Sequence, residues 1–217
     1  MRAVRDDVGD VSELQMDALL GIRTTGRDES HADQDSNPYE PTPYAVLDRL
    51  ANSGLVGKRN VLVDYGCGKG RVGLYLAYQA RCRSIGVERD PLLHEAALRN
   101  AATARFLQGP YSAGRVTFER ADAAQYVPPA QADRFYFFNP FSVVVFERVL
   151  DQIRRSFDAV PREVIVLLYY PDDEYRDVLA RTSWLEPAGQ IDCRDLFCAE
   201  TGAVGSDPRE VVLAFRG

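Results

Sequence analysis

From about residue 60 the chain switches repeatedly between short apolar runs and longer segments with helical spacing. NVLVDY (60–65), RSIGVE (83–88), RVTFER (115–120), RFYFFN (134–139) and EVIVLLYY (163–170) read as strands. The central ones are almost continuously apolar, as strands buried on both faces are. Between them lie helical segments: KGRVGLYLAYQA, DPLLHEAALRNAATARF with Asp90 as cap and Pro91 at its first position, SVVVFERVLDQIRRSF, and a stretch from about 173 to 182. Strand–helix alternation predicts a parallel sheet with helices on both faces, an α/β doubly wound architecture. Residues 185–216 read as two more strands with no helix between them, so one runs antiparallel to the rest. Ahead of the first strand, Thr42 is placed to cap a helix over AVLDRLANSG, with Pro43 at its first position, Val46, Leu47 and Leu50 on one face and Gly54 at its end. Residues 1–37 are polar and without periodicity, which predicts an irregular arm. The expected organisation is that arm followed by one domain over 38–217, of which 38–57 form a cap segment and helix.

The turn after the first strand carries chemistry. VDYGCGKGRVG places Gly66, Gly68 and Gly70 between a strand and a helix. Glycine there admits positive φ and lets a ligand approach the backbone. Gly68, Gly70 and Gly73 also satisfy GxGxxG, a weak signal alone. Asp64 stands two places before Gly66, where a carboxylate opposes a dinucleotide's pyrophosphate on the helix N-terminus. Glu88 ends the second strand, roughly 20 residues past the turn, where an acid can accept both hydroxyls of a ribose. Asp122 follows the third strand, and Ala123 offers a backbone N–H beside it. The three acids fall at the carboxyl ends of successive strands, where open α/β sheets bind ligands.

DYGCGKG, GVERDP and RADAAQY together resemble the first three cofactor motifs of class I S-adenosylmethionine-dependent methyltransferases, over roughly residues 40–217. The resemblance implies a Rossmann-like, seven-stranded sheet whose last strand is antiparallel. It implies S-adenosylmethionine as cofactor and S-adenosylhomocysteine as product. Asp64, Gly66 and Gly68 would meet the methionine moiety, Glu88 the ribose, and Asp122 with Ala123 the adenine. Gly70 belongs to the same turn. Tyr65 and Cys67 pack around it, with their backbones toward the ligand. The charge argument agrees: this cofactor brings an ammonium and a sulfonium and only one carboxylate, so acidic strand ends suit it.

Asn139-Pro140-Phe141-Ser142 resembles a variant of the family's [DN]PP[YF] motif, with Phe141 replacing the second proline. In relatives that methylate nitrogen, the Asn accepts hydrogen bonds from the target amine and the aromatic residue stacks on the substrate. Asn139 and Phe141 are therefore the catalytic candidates, with Asn139 also near the cofactor. Methyl transfer depends mostly on positioning. Tyr39 and Tyr44 before the first strand, and Tyr170 after the fifth, are candidates to wall an acceptor. Lys69 and Arg71 open a helix, an unfavourable place for cations; Arg71 either holds a ligand carboxylate or lies solvated.

Composition narrows the partner. The formal net charge is -6, with no basic run and only Lys58 and Lys69 as lysines. A protein gripping nucleic acid shows a basic excess, so a small-molecule or protein acceptor is expected instead. There is no apolar run long enough to span a membrane, and no signal-peptide core. Cys67, Cys82, Cys193 and Cys198 show no zinc spacing, which points to reduced thiols in a cytoplasmic protein without metal. Two other readings stay open. One is a non-catalytic S-adenosylmethionine-binding sensor or scaffold, which the altered NPF motif allows. The other is an NAD-dependent oxidoreductase, for which no hydride-transfer set is recognisable.

Overall fold

The central apolar runs become strands because each buries side chains on both faces of one sheet. In the computed structural model, which describes residues 7–30, 34–109, 114–197 and 207–217 (backbone alone for 7–11), the strands are β1 (Val61–Tyr65), β2 (Arg83–Glu88), β3 (Val116–Arg120), β4 (Arg134–Phe137), β5 (Ile165–Tyr169), β6 (Glu186–Asp192) and β7 (Val211–Arg216). Residues 31–33 of the polar segment and Cys198 lie outside the described residues. The sheet order is β3-β2-β1-β4-β5-β7-β6. β1 to β5 pair in parallel, and β7 runs antiparallel to both β5 and β6. The expected seven-stranded sheet with an antiparallel last strand is what forms. Its order reverses between β1 and β4, the kind of switch point at which α/β sheets open a crevice.

Alternation across the pleat sorts each central strand between two cores. Val61, Val63 and Tyr65 of β1 join Phe135 and Phe137 of β4 and Val166 and Leu168 of β5 under α5 (Val143–Ala159) and α6 (Asp173–Arg181). Leu62, Tyr136, Ile165 and Leu167 pack on the opposite face, against α2 (Tyr44–Asn52) and α3 (Arg71–Gln79), with α4 (Pro91–Thr103) beyond. In α5, Phe146, Val149, Leu150 and Ile153 recur at helical spacing and face the sheet. Asp90 caps α4 as expected, accepting from the backbone N–H of Leu92 and Leu93.

Two expectations need correction. Residues 1–37 are not all irregular: Asp7–Leu20 form α1, and its last residue Leu20 is buried with Ile22 and Thr24 after it. Thr42 does not cap α2. Its hydroxyl pairs with the Tyr136 hydroxyl at 2.9 Å, while the Tyr44 N–H donates to Glu13 Oε1 of α1 at 3.0 Å. A carboxylate from another helix thus does the capping, and the reason lies in α3.

Arg71 opens α3, where a cation faces the positive end of the helix dipole. It is buried rather than solvated, and acids come to it. Its guanidinium donates to Glu13, to the hydroxyls of Thr24 (2.7 Å) and Thr25 (2.8 Å), and to the Thr42 carbonyl (3.2 Å). It stands 3.8 Å from Asp17 and lies over the Tyr44 ring, 4.2 Å from its centroid. Asp17 in turn accepts from Thr24, Thr25 and the Tyr44 hydroxyl. Burial pushes the Asp17 carboxyl up, but the bonds from Thr24 and Tyr44 and the Arg71 charge outweigh it and hold it below its ordinary value. Replacing Arg71 by Leu leaves Asp17 buried without its countercharge. The expected loss is about 3–5 kcal/mol of unfolding free energy, read as a lower urea midpoint; an unshifted midpoint would exclude Arg71 as the pin of the N-terminal segment.

Candidate functional site

At the reversal point the ends of β1 and β2 and the turn into α3 enclose a cavity of about 410 Å³, within the range of small-molecule sites. Its floor is the glycine turn. Gly66 (φ 68°) and Gly68 (φ 54°) both need the left-handed conformation. A Cβ on Gly66 would stand 2.3 Å from Pro140, and one on Gly68 2.4 Å from the Tyr39 ring. The turn therefore fits closely between two walls as well as opening toward a ligand. The N–H groups of Gly66 and Cys67 donate to the Val87 carbonyl, that of Gly68 to Glu88 Oε2 at 2.9 Å, and that of Gly70 to the Cys67 carbonyl. Four of the turn's donors, those of Gly66, Cys67, Gly68 and Gly70, are thus spent within the protein.

Two of the carboxyl groups lining this cavity are buried. Asp64 is buried, on the same face as Tyr136 across the ladder, and its Oδ2 has no hydrogen-bond partner among the described residues. Burial first, then the neighbouring Glu88, raises its pKa well above the ordinary carboxylate range. Glu88 is also buried. Its Oε2 takes the Gly68 N–H and its Oε1 the Asp90 N–H at 2.9 Å. Burial raises its pKa despite those bonds. Each carboxylate oxygen accepts more than one hydrogen bond, so Glu88 keeps capacity for a ligand hydroxyl. Asp122 and Ala123 line the far end. Asp122 is exposed and also caps its own turn through the Ala124 N–H at 2.9 Å.

The expected site residues divide. Asp64, Tyr65, Gly66, Gly68, Glu88, Asp122, Ala123, Tyr39 and Phe141 line this cavity. Tyr39 is buried over Gly68, with its hydroxyl donating to the Thr24 carbonyl at 2.6 Å. Phe141 sets its ring edge-on to Phe137. Gly70 does not line it; it precedes α3 and packs against Phe118. Tyr44 does not either, being committed to Asp17 and Arg71.

Asn139 and Tyr170 face a second cavity of about 160 Å³. Both hold positive φ at the ends of β4 and β5. The Asn139 Nδ2 donates to the Tyr170 carbonyl at 2.6 Å, and its Oδ1 accepts from the Asp172 N–H at 3.4 Å. Its amide ties two strand ends together.

Sequence reasoning missed several lining residues: Thr42 and Tyr136, joined through their hydroxyls, and the backbone run 35–38. That run is fastened across the cavity mouth. The Asn37 N–H donates to the Pro140 carbonyl (3.2 Å), its Nδ2 to the Asn139 carbonyl (2.6 Å), and Ser36 bridges Phe141. The one available signal for Tyr136 was its place in RFYFF, opposite in parity to the two phenylalanines of the other core.

The sequence matches no protein-family model and no curated protein. Solved structures do resemble it. An RNA methyltransferase from Salinibacter ruber in complex with S-adenosyl-L-homocysteine superposes with a TM-score of 0.52 at 22% identity, over 82% of this chain and 92% of that one. A putative RNA methyltransferase from Pyrococcus horikoshii gives 0.57 at 13% identity, over 94% and 95%. An S-adenosylmethionine-dependent methyltransferase from Thiobacillus denitrificans, also with S-adenosyl-L-homocysteine, gives 0.51 at 17% identity, over 86% and 93%. The chain has the Rossmann-like fold of S-adenosylmethionine-dependent methyltransferases. Among the described residues no helix is long and apolar enough to cross a membrane.

The raised carboxyl pKa values carry a stability signature. A carboxyl that binds its proton more tightly folded than unfolded destabilises the folded state as pH rises from the unfolded value, 3.8 for Asp64, toward the folded one. Ligand-free protein is thus expected to lose melting temperature over that interval. Asp64→Asn should flatten the profile and melt higher at neutral pH. A variant melting at or below wild type would show that Asp64 is not a strained buried acid.

Proposed function

We propose that this chain is an S-adenosylmethionine-dependent methyltransferase acting on a small molecule or a protein side chain. One observation carries the reading: the unpartnered, buried Asp64 Oδ2 in a cavity it shares with Glu88. Two adjacent buried acids with no ion-pair partner among the described residues favour a ligand that supplies positive charge and no phosphate. An ammonium beside Asp64 and a ribose diol at Glu88 meet that requirement. A pyrophosphate does not, because its negative charge would stand beside two buried carboxyl groups.

The residues present fit the cofactor. Asp64 and the backbone of residues 66–68 would hold the amino-acid end, Glu88 the sugar, and Ala123 with Asp122 the base. When bound, S-adenosylmethionine supplies a methyl group on a sulfonium, activated for in-line displacement. The protein's part is to hold it, exclude water and orient the acceptor. Tyr39, Pro140 and Phe141 supply the apolar walls, and the run 35–38 closes the mouth. The electron-rich face of Phe141 suits a cationic centre. The side chain of Asn139 supports the reaction indirectly, by fixing the ends of β4 and β5. The acidic net charge favours an acceptor other than nucleic acid.

Calorimetry with S-adenosylhomocysteine and with NAD tests the assignment. Binding of the first without the second is expected. Glu88→Ala should weaken S-adenosylhomocysteine at least about tenfold, roughly 1.4 kcal/mol. Tight NAD binding alone would replace the reading by an oxidoreductase. Donor binding with no methyl transfer to any amine, hydroxyl or thiol offered would leave a sensor or scaffold.

A further inference from the structure

Across the donor cavity the strand order β3-β2-β1-β4 sets out a row of polar groups. Asp122 follows β3, Glu88 ends β2, Asp64 lies near the end of β1, and Tyr136 of β4 pairs with Asp64 across the ladder. The first three answer the base, the sugar and the ammonium of the donor. One charged group of the donor is left, its carboxylate. Ammonium and carboxylate share one carbon in an α-amino acid, so the receptor of the second must neighbour Asp64.

The cations do not meet that need. Arg71 lines the cavity, but its guanidinium is taken up by Glu13, Thr24, Thr25 and the Thr42 carbonyl, and Glu13 and Asp17 already answer its charge. Arg89 and Arg148 line the sugar and base end: Arg89 follows Glu88, and Gln152, one turn beyond Arg148 on α5, bonds the Ala124 carbonyl. Two hydroxyls stand beside Asp64 instead. Thr42 and Tyr136 are 2% and 1% exposed, and both line the cavity. They bond each other at 2.9 Å. Two hydroxyls carry two hydrogens, and whichever way that bond runs it uses one. The other hydrogen has no acceptor among the described residues. Burial raises the Tyr136 pKa well above its ordinary value, which keeps the phenol a donor. A buried hydroxyl hydrogen left over at a cavity wall calls for an acceptor that the ligand brings.

We infer that the Thr42–Tyr136 hydroxyl pair receives the carboxylate of the donor's amino-acid end, and so selects a nucleoside with an intact amino acid over one that has lost its carboxylate. This rests on the methyl-donor reading and adds to it a specificity-determining pair. The carboxylate is met by a hydroxyl rather than a free cation, and a hydrogen bond to a charged acceptor is among the stronger ones a buried site offers. Asp64 alone cannot make this selection, because both kinds of nucleoside carry the ammonium.

The test is calorimetry on the full chain with two probes, S-adenosylhomocysteine and its decarboxylated analogue, which keeps the ammonium on a propyl chain. Wild type should bind the first at least about ten-fold more tightly. The double variant Thr42→Val with Tyr136→Phe removes both hydroxyls and keeps both shapes, an exchange that costs little stability when neither partner is left alone. It should bind S-adenosylhomocysteine at least about five-fold more weakly and the analogue as wild type does. Should its melting temperature show that it does not fold, Thr42→Val and Tyr136→Phe are measured singly, and at least one should narrow the preference about three-fold. Equal binding of the two probes by wild type would overturn the inference and leave the donor assignment standing. So would a full preference kept in the variants, or an equal loss for both probes, which is what a merely structural pair would give. Failure of wild type to bind either probe would overturn both.

Discussion

Two carboxyl groups buried at neighbouring strand ends set the terms for everything around them. Asp64 and Glu88 close the ends of β1 and β2; burial raises the cost of ionising both, and Glu88 adds to that of Asp64. The fold offsets part of that cost by giving Glu88 the N–H groups of Gly68 and Asp90. Nothing comparable reaches Asp64 Oδ2. The glycine turn is bent to serve these acids, and Tyr39 and Pro140 press on it from outside. A folded protein keeps such an arrangement only if something outside the chain repays it, which is why the site reads as a receptor for positive charge.

A second buried electrostatic centre holds the walls in place. Arg71 gathers Glu13, Asp17, Thr24, Thr25 and Thr42, and so fixes α1, the segment after it and the start of α2 to the beginning of α3. Tyr39 takes its position from the same network, through Thr24 and through its backbone pairing with Asp28. The donor cavity is thus lined by Arg71 and Thr42 of this network and shaped at one remove by Glu13, Asp17, Thr24 and Thr25.

The sheet was legible because its signal is physical and local. The three central apolar runs can be buried only as strands with both faces covered, and Asp90-Pro91 announces a helix start with its own chemistry. The acids at the strand ends were legible for the same reason, since alternation and the glycine turn place them. What could not be read depended on partners far along the chain. Nothing within α1 indicates that Asp17 will be buried, because its partners are two threonines, a tyrosine and Arg71. The Thr42 hydroxyl had two uses, a cap and a bond to Tyr136, and tertiary packing chose the second. Asn139 carried a motif, yet its amide went to the Tyr170 carbonyl, because β5 ends beside β4 and leaves that oxygen to be satisfied. The unfavourable place of Arg71 at a helix start was visible. Its resolution, acids brought in from α1, was not.

The bond between Glu13 and Arg71 spans 58 residues of sequence. On a ribosome the acids of α1 emerge first and remain solvated until the glycine turn and the start of α3 have followed them. Those early residues therefore cannot settle against the sheet as they are made. Their docking comes only after β1 and α3 have left the exit tunnel, so the N-terminal wall of the donor cavity is fixed by residues made after it.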